Sequence, residues 1–92
     1  MAFNVTVTQE DLENAVEFHK EGAVASATCP IALAIKRRYP YEDVAVCVDV
    51  AFIGPSRFWL DSAGIRFVKH FDSYVATEVL DAPITPQTFL VQ

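Results

Sequence analysis

The chain has 92 residues, of which 52% are hydrophobic and 21% charged, with a formal net charge of −5 and a pI near 4.7. That length supports one domain, residues 1–92, with one modest core, and the apolar share excludes a disordered, solvating segment. The acidic balance argues against direct nucleic-acid binding, because a general phosphate-backbone binder needs surplus Lys and Arg to displace counterions.

The first residues, MAFNVTVTQEDLENA, contain neither a basic segment nor an apolar run of signal-peptide length. No stretch reaches the roughly 18 apolar residues of a bilayer span, so the expectation is a cytoplasmic protein without membrane contact. In that compartment Cys29 and Cys47 are expected to be thiols. Two cysteines and two histidines without tight spacing predict no structural metal site, and no cofactor-binding motif is present.

Phe3, Val5 and Val7 alternate with Asn4 and Thr6, the period-two mark of a half-buried strand. Thr8 follows as an N-cap with Asp11 three residues on, an Asp variant of the capping box. The helix it opens carries Leu12, Ala15, Val16 and His19 on one face and Glu10, Glu13, Glu17 and Lys20 toward water, and Gly22 stops it. Ala23 to Thr28 is small and uncharged, a turn, an extended connector or a loop.

Thr28 to Pro40, TCPIALAIKRRYP, predicts the most buried helix, from about Pro30 to Arg38. Pro30 suits a first helical turn, an apolar run follows, and Lys36, Arg37 and Arg38 complement the C-terminal dipole. From Val44 to Ile53 the alternation predicts one long, central strand, with Val44, Val46, Val48, Val50 and Phe52 facing the helices. Gly54-Pro55-Ser56 turns the chain, and Arg57 to Leu60 returns as the second arm of a hairpin.

Asp61 caps a helix running to about Phe71, with Ile65, Val68 and Phe71 inward; Gly64 in its first turn weakens it slightly. Beyond Asp72-Ser73 the chain reads as irregular, Pro83 and Pro86 exclude a central strand, and Thr88 to Val91 is placed at a sheet edge. The order β-α-α-β-β-α-β, about four strands and three helices, predicts an α+β two-layer domain with helices on one face of a mostly antiparallel sheet.

CPIALAIKRRYP, the Val-alternating hairpin, FWLDSAGIRFVKHFD and TPQTFLV together resemble a group of small proteins encoded by bacteriophages, especially of actinobacteria, and by mobile regions of their hosts. The resemblance covers most of the chain after residue 28, and Cys-Pro-Ile-Ala-Leu-Ala is its most specific piece. It implies a phage setting, hence the host cytoplasm, and no particular reaction.

Four features carry candidate chemistry. Cys29 sits at a helix start, where the dipole and free N–H groups favour thiolate, but a nucleophile also needs a base, and only His19 or His70, brought close by folding, can supply one. Lys36, Arg37 and Arg38 form the single cationic cluster, fit for a phosphate or an acidic segment, or simply for solvent. Glu10, Asp11, Glu13 and Glu17, extended by Asp43, Asp49 and Asp72, offer an acidic face that mimics nucleic acid for a host DNA-binding factor. Asp49 is either edge-facing or buried against Arg57 or Lys36. Of Phe58 and Trp59, alternation sends one away from the core as an interface anchor.

No paired carboxylates, phosphate loop or RNA-binding aromatic motif is present. The reading is therefore a non-enzymatic accessory protein acting through protein–protein contact, with a host factor or with itself as a homodimer. A thiol-dependent activity or ligand site at Cys29 and an acidic decoy are the alternatives.

Overall fold

The computed structural model describes residues 2–77 and 87–92. The fold is α+β with every strand pair antiparallel, and its elements run β1 (Phe3–Val7), α1 (Gln9–Lys20), α2 (Ala25–Thr28), α3 (Pro30–Arg38), β2 (Val44–Cys47), β3 (Val50–Ile53), β4 (Ser56–Trp59), α4 (Ser62–Thr77) and β5 (Gln87–Val91).

Local chemistry explains most boundaries. The Asp11 N–H donates to Thr8 Oγ1 at 3.2 Å and the Thr8 N–H donates to Asp11 Oδ2 at 2.8 Å, completing the capping box that starts α1. Gly22, at φ +79, ends the turn that follows α1. Cys29 is the N-cap of α3 and Pro30 occupies its first turn, where no N–H is missed. The uncharged connector before it contains the short α2, in which Thr28 Oγ1 donates back to the Val24 carbonyl at 2.9 Å.

The expected single strand over Val44–Ile53 is two strands. The chain reverses at Val48-Asp49, pairing Cys47 with Val50 and Val44 with Ile53. A two-residue reversal switches the parity of the alternation, because paired residues share a face. Val44, Val46, Ala51 and Ile53 therefore point into the core, and Val48 and Phe52, expected to face the helices, are exposed. Folding back pairs β3 on both sides, with β2 and with β4. Asp49 is an exposed turn residue whose carbonyl accepts from the Leu60 N–H at 3.0 Å.

Gly54-Pro55 makes the second tight turn, with Gly54 at φ +55 and its N–H donating to the Asp43 carbonyl at 2.8 Å. β2-β3-β4 is thus an antiparallel meander, and β1-β5 is a separate two-stranded ladder. The bridge between Leu60 and Val91, with reciprocal backbone bonds between Trp59 and Gln92, joins the two. This puts β5 between β4 and β1 instead of at the expected edge, since its free N–H and C=O groups are used on both sides.

α4 continues past the expected stop near Phe71 to Thr77, so Asp72, Ser73 and Tyr74 are helical. Four helices and five strands are thus seen among the described residues, against about three and four expected. The expectation of irregular chain at 78–86, including Pro83 and Pro86, lies outside the described residues.

The core fills the space between one sheet face and the helices. Val7, Ile31, Ile35, Phe89 and Val91 are fully buried, each side chain contributing about 1.5–3 kcal/mol relative to exposure. Ile31 and Ile35 are one turn apart on α3, and the small Ala32 and Ala34, also buried, let that helix approach the sheet closely. Phe3 meets Phe58 and Tyr39 edge-on with centroids 5.5 and 5.6 Å apart, and Phe67 meets Phe89 at 5.0 Å.

Candidate protein-interaction surface

The opposite face of the sheet is covered by no helix among the described residues. Register places Cys47, Val50 and Trp59 in one cross-strand row and Ala45, Phe52 and Arg57 in the next. Strand alternation resolves the adjacent aromatics: Phe58 is half-buried against Phe3, and Trp59 is 52% exposed on the open face. The Arg57 guanidinium lies 5.6 Å from the Trp59 ring centroid, a contact worth about 0.5–1 kcal/mol at an exposed site. Phe52 lies diagonally from Trp59 on this face, Val48 is exposed in the adjoining turn, and Leu90 extends the face across β5. On β1 and β5 the same face turns polar, with Thr6 and Thr88 hydroxyls 3.0 Å apart. The apolar half is the part suited to a partner.

The cationic cluster is drawn into the fold. Arg37 Nη1 bonds Asp11 Oδ1 at 2.5 Å and Arg37 Nη2 donates to the Thr6 carbonyl at 3.0 Å. Arg38 lies over the Phe3 ring, 5.1 Å from its centroid, and 5.8 Å from that of Tyr39. Lys36 Nζ donates to the Glu42 carbonyl. Each head group already has a partner within the chain, which reduces what it offers to a phosphate or acidic segment. Asp11, grouped above with the acidic face, is buried, so that face on α1 consists of Glu10, Glu13 and Glu17.

Cys29 is 5% exposed. Its Sγ accepts the Ala32 N–H at 3.4 Å. Burial pushes the thiol up to about 11; hydrogen bonds from the Ala32 and Ile31 backbone oppose this, and the charges of Asp72 and Cys47 add to it. Desolvation thus outweighs the helix-terminus effect that the sequence brings to mind. A buried, protonated thiol is a poor nucleophile, and the residue serves as a cap. Cys47 is exposed on the open sheet face. Of the two histidines weighed as a base for Cys29, His19 is exposed in the last turn of α1, and His70 is half-buried on α4 with Nε2 unpartnered among the described residues.

Burial also raises the Asp72 carboxyl. Among the described residues no group of three His, Cys, Asp or Glu side chains is placed to hold a metal ion, and no helix is long and apolar enough to cross a membrane. Sequence reasoning missed Phe52 as a member of the open face, because the signal lay in a turn, Val48-Asp49, that contains neither Gly nor Pro. Comparison of the chain with protein-family models, curated proteins and solved structures finds no match.

Proposed function

We propose that this chain is a small, non-enzymatic accessory protein that works by protein–protein contact through the open face of its sheet. The setting we propose is the cytoplasm of a phage-infected bacterium, a context that rests on the motif resemblance alone. The observation that carries the contact reading is Trp59, standing half-exposed on β4 beside Val50 and Phe52 of the neighbouring β3. A large aromatic held by its neighbours loses little conformational freedom on binding, which is why Trp is enriched among the residues that dominate interface energies. The partner is a host protein or a second copy of the chain.

Light scattering across a range of chain concentrations, followed by capture from host lysate, tests this with wild type and Trp59→Ala. The wild type is expected to self-associate or to retain a defined protein, and Trp59→Ala to weaken that contact by about 30-fold or more. A wild type that stays monomeric and retains nothing, or a variant that binds as well as wild type, overturns the proposal.

A further inference from the structure

α1 packs on α3 and α4 lies along β5, and among the described residues a groove lined by both surface helices lies between them. Its volume is about 320 Å³, at the lower end of the roughly 300–1,000 Å³ usual for binding pockets. Leu12 and Val16, one turn apart on α1, form one wall, and Phe71 and Tyr74 on α4 form the other, their rings 6.4 Å apart. The rim on the α1 side is acidic: Glu13 and Glu17, again one turn apart, are both exposed and line the groove. Among the described residues Glu13 makes no ion pair, and Glu17 has only the exposed Lys20 at 3.6 Å, a pair worth little in water.

We infer that this groove is a docking site for a cationic amphipathic helix of a partner protein, separate from the open sheet face. An apolar floor between two helices accepts side chains from one stripe of a third helix, at i, i+3, i+4 and i+7. Glu13 and Glu17, about 6 Å apart along α1 by helical rise, match Lys or Arg side chains one turn apart on the flank of that stripe. Among the described residues the groove supplies no cation at its lined surface, so an acidic or neutral segment gains nothing from that rim, and the chain's net charge of −5 favours the same partner at long range.

The probe is a 14-residue helical peptide of Leu and Lys only, with Leu on one stripe, and a control with every Lys replaced by Glu. Amide chemical shifts of the full chain are followed during titration, at low and high salt. The Lys peptide is expected to shift Leu12, Val16, Phe71 and Tyr74, to weaken with salt, and to bind at least about tenfold tighter than the Glu peptide. The double variant Glu13→Gln, Glu17→Gln, both positions exposed and outside the core, is expected to weaken it by roughly fivefold to tenfold. Absence of binding, equal binding of the Glu peptide, or an unaffected double variant overturns the inference. So do shifts confined to the Trp59 face, self-association through the groove, or nuclear Overhauser contacts that fill it from this chain's own residues in the free protein. Because the readout separates the two surfaces, failure here leaves the open-face proposal standing, and failure of that proposal leaves this one.

Discussion

Arg37 and Asp11 form an ion pair across 26 residues of sequence, Nη1 to Oδ1 at 2.5 Å, while the other arm of the guanidinium holds the Thr6 carbonyl at 3.0 Å. One side chain on α3 thereby locks the end of β1 and the start of α1. The carboxylate of Asp11 is nearly buried, at 6% exposure, and its second oxygen accepts the Thr8 N–H. A buried charge with its partner removed keeps its desolvation cost, so Arg37→Ala should cost about 2–3 kcal/mol, somewhat less than a fully buried pair because the guanidinium is half in water. Lys36→Ala and Arg38→Ala should each cost under about 1 kcal/mol. Urea unfolding of the three variants checks the order. Equal effects would show that Arg37 is only one of three solvated cations.

The two thiols should separate cleanly. An aromatic disulfide reagent at pH 8 is expected to modify Cys47 rapidly and Cys29 only after unfolding. The folded pKa of Cys29 lies above its unfolded value of 9.0, at about 11. Its stabilising effect is therefore fully present below pH 9 and lost as pH rises through 11, because only the unfolded chain releases the proton in that window. The loss is on the order of 3 kcal/mol, and Cys29→Ser should reduce it. Fast modification of Cys29 in the native state would restore thiol chemistry as a reading.

Gly22 and Gly54 both have positive φ, +79 and +55, but they differ in surroundings. Among the described residues nothing lies within 4 Å of a Cβ placed at Gly22, whereas one at Gly54 meets the Glu42 carboxylate. Gly22→Ala should cost about 1 kcal/mol from backbone conformation alone. Gly54→Ala should cost that amount plus the displacement of Glu42, and the excess should vanish in a Glu42→Ala background. Thermal unfolding resolves this, since about 1 kcal/mol shifts Tm by roughly 4–8 °C at this size.

Asp61 caps α4 and ties it to β5 together. Its Oδ1 accepts the Gly64 N–H at 2.7 Å and its Oδ2 accepts the Leu90 N–H at 3.0 Å. Asp61→Ala should therefore cost about 2 kcal/mol, more than a cap alone, and reduce hydrogen-exchange protection at Leu90 as well as Gly64. Loss of protection at Gly64 only would show that the link to β5 adds nothing.

The caps were legible because their chemistry is local. Thr8 with Asp11, Pro30 in a first helical turn, and Asp61 as a cap each act within three residues, and β1 and α3 follow with their expected bounds. VAVCVDVAFI misleads because its alternation passes unbroken through a turn containing neither Gly nor Pro, so the parity switch at Val48-Asp49 leaves no mark in the pattern. Gly64 looks like a weak point of α4, yet it is buried, and an added Cβ would sit 3.3 Å from Leu60 Cβ and 3.7 Å from Phe89 Cβ. Its smallness permits the close approach of helix and strand. The anchoring of Arg37 and the groove beside Glu13 depend on which helices become neighbours, which periodicity along one chain does not encode. Trp59 was half legible: alternation required one of Phe58 and Trp59 to face out, and only the packing of Phe58 on Phe3 decides which.

Trp59 is the chain's single tryptophan, so its fluorescence reports the proposed contact without a label. The direct measurement is its emission and quenching by acrylamide, with rising chain concentration and with a captured host protein added. The account predicts solvent-exposed emission at low concentration, then a saturating blue shift with loss of quenching as the open face is covered. Association detected by light scattering that leaves both unchanged would contradict it.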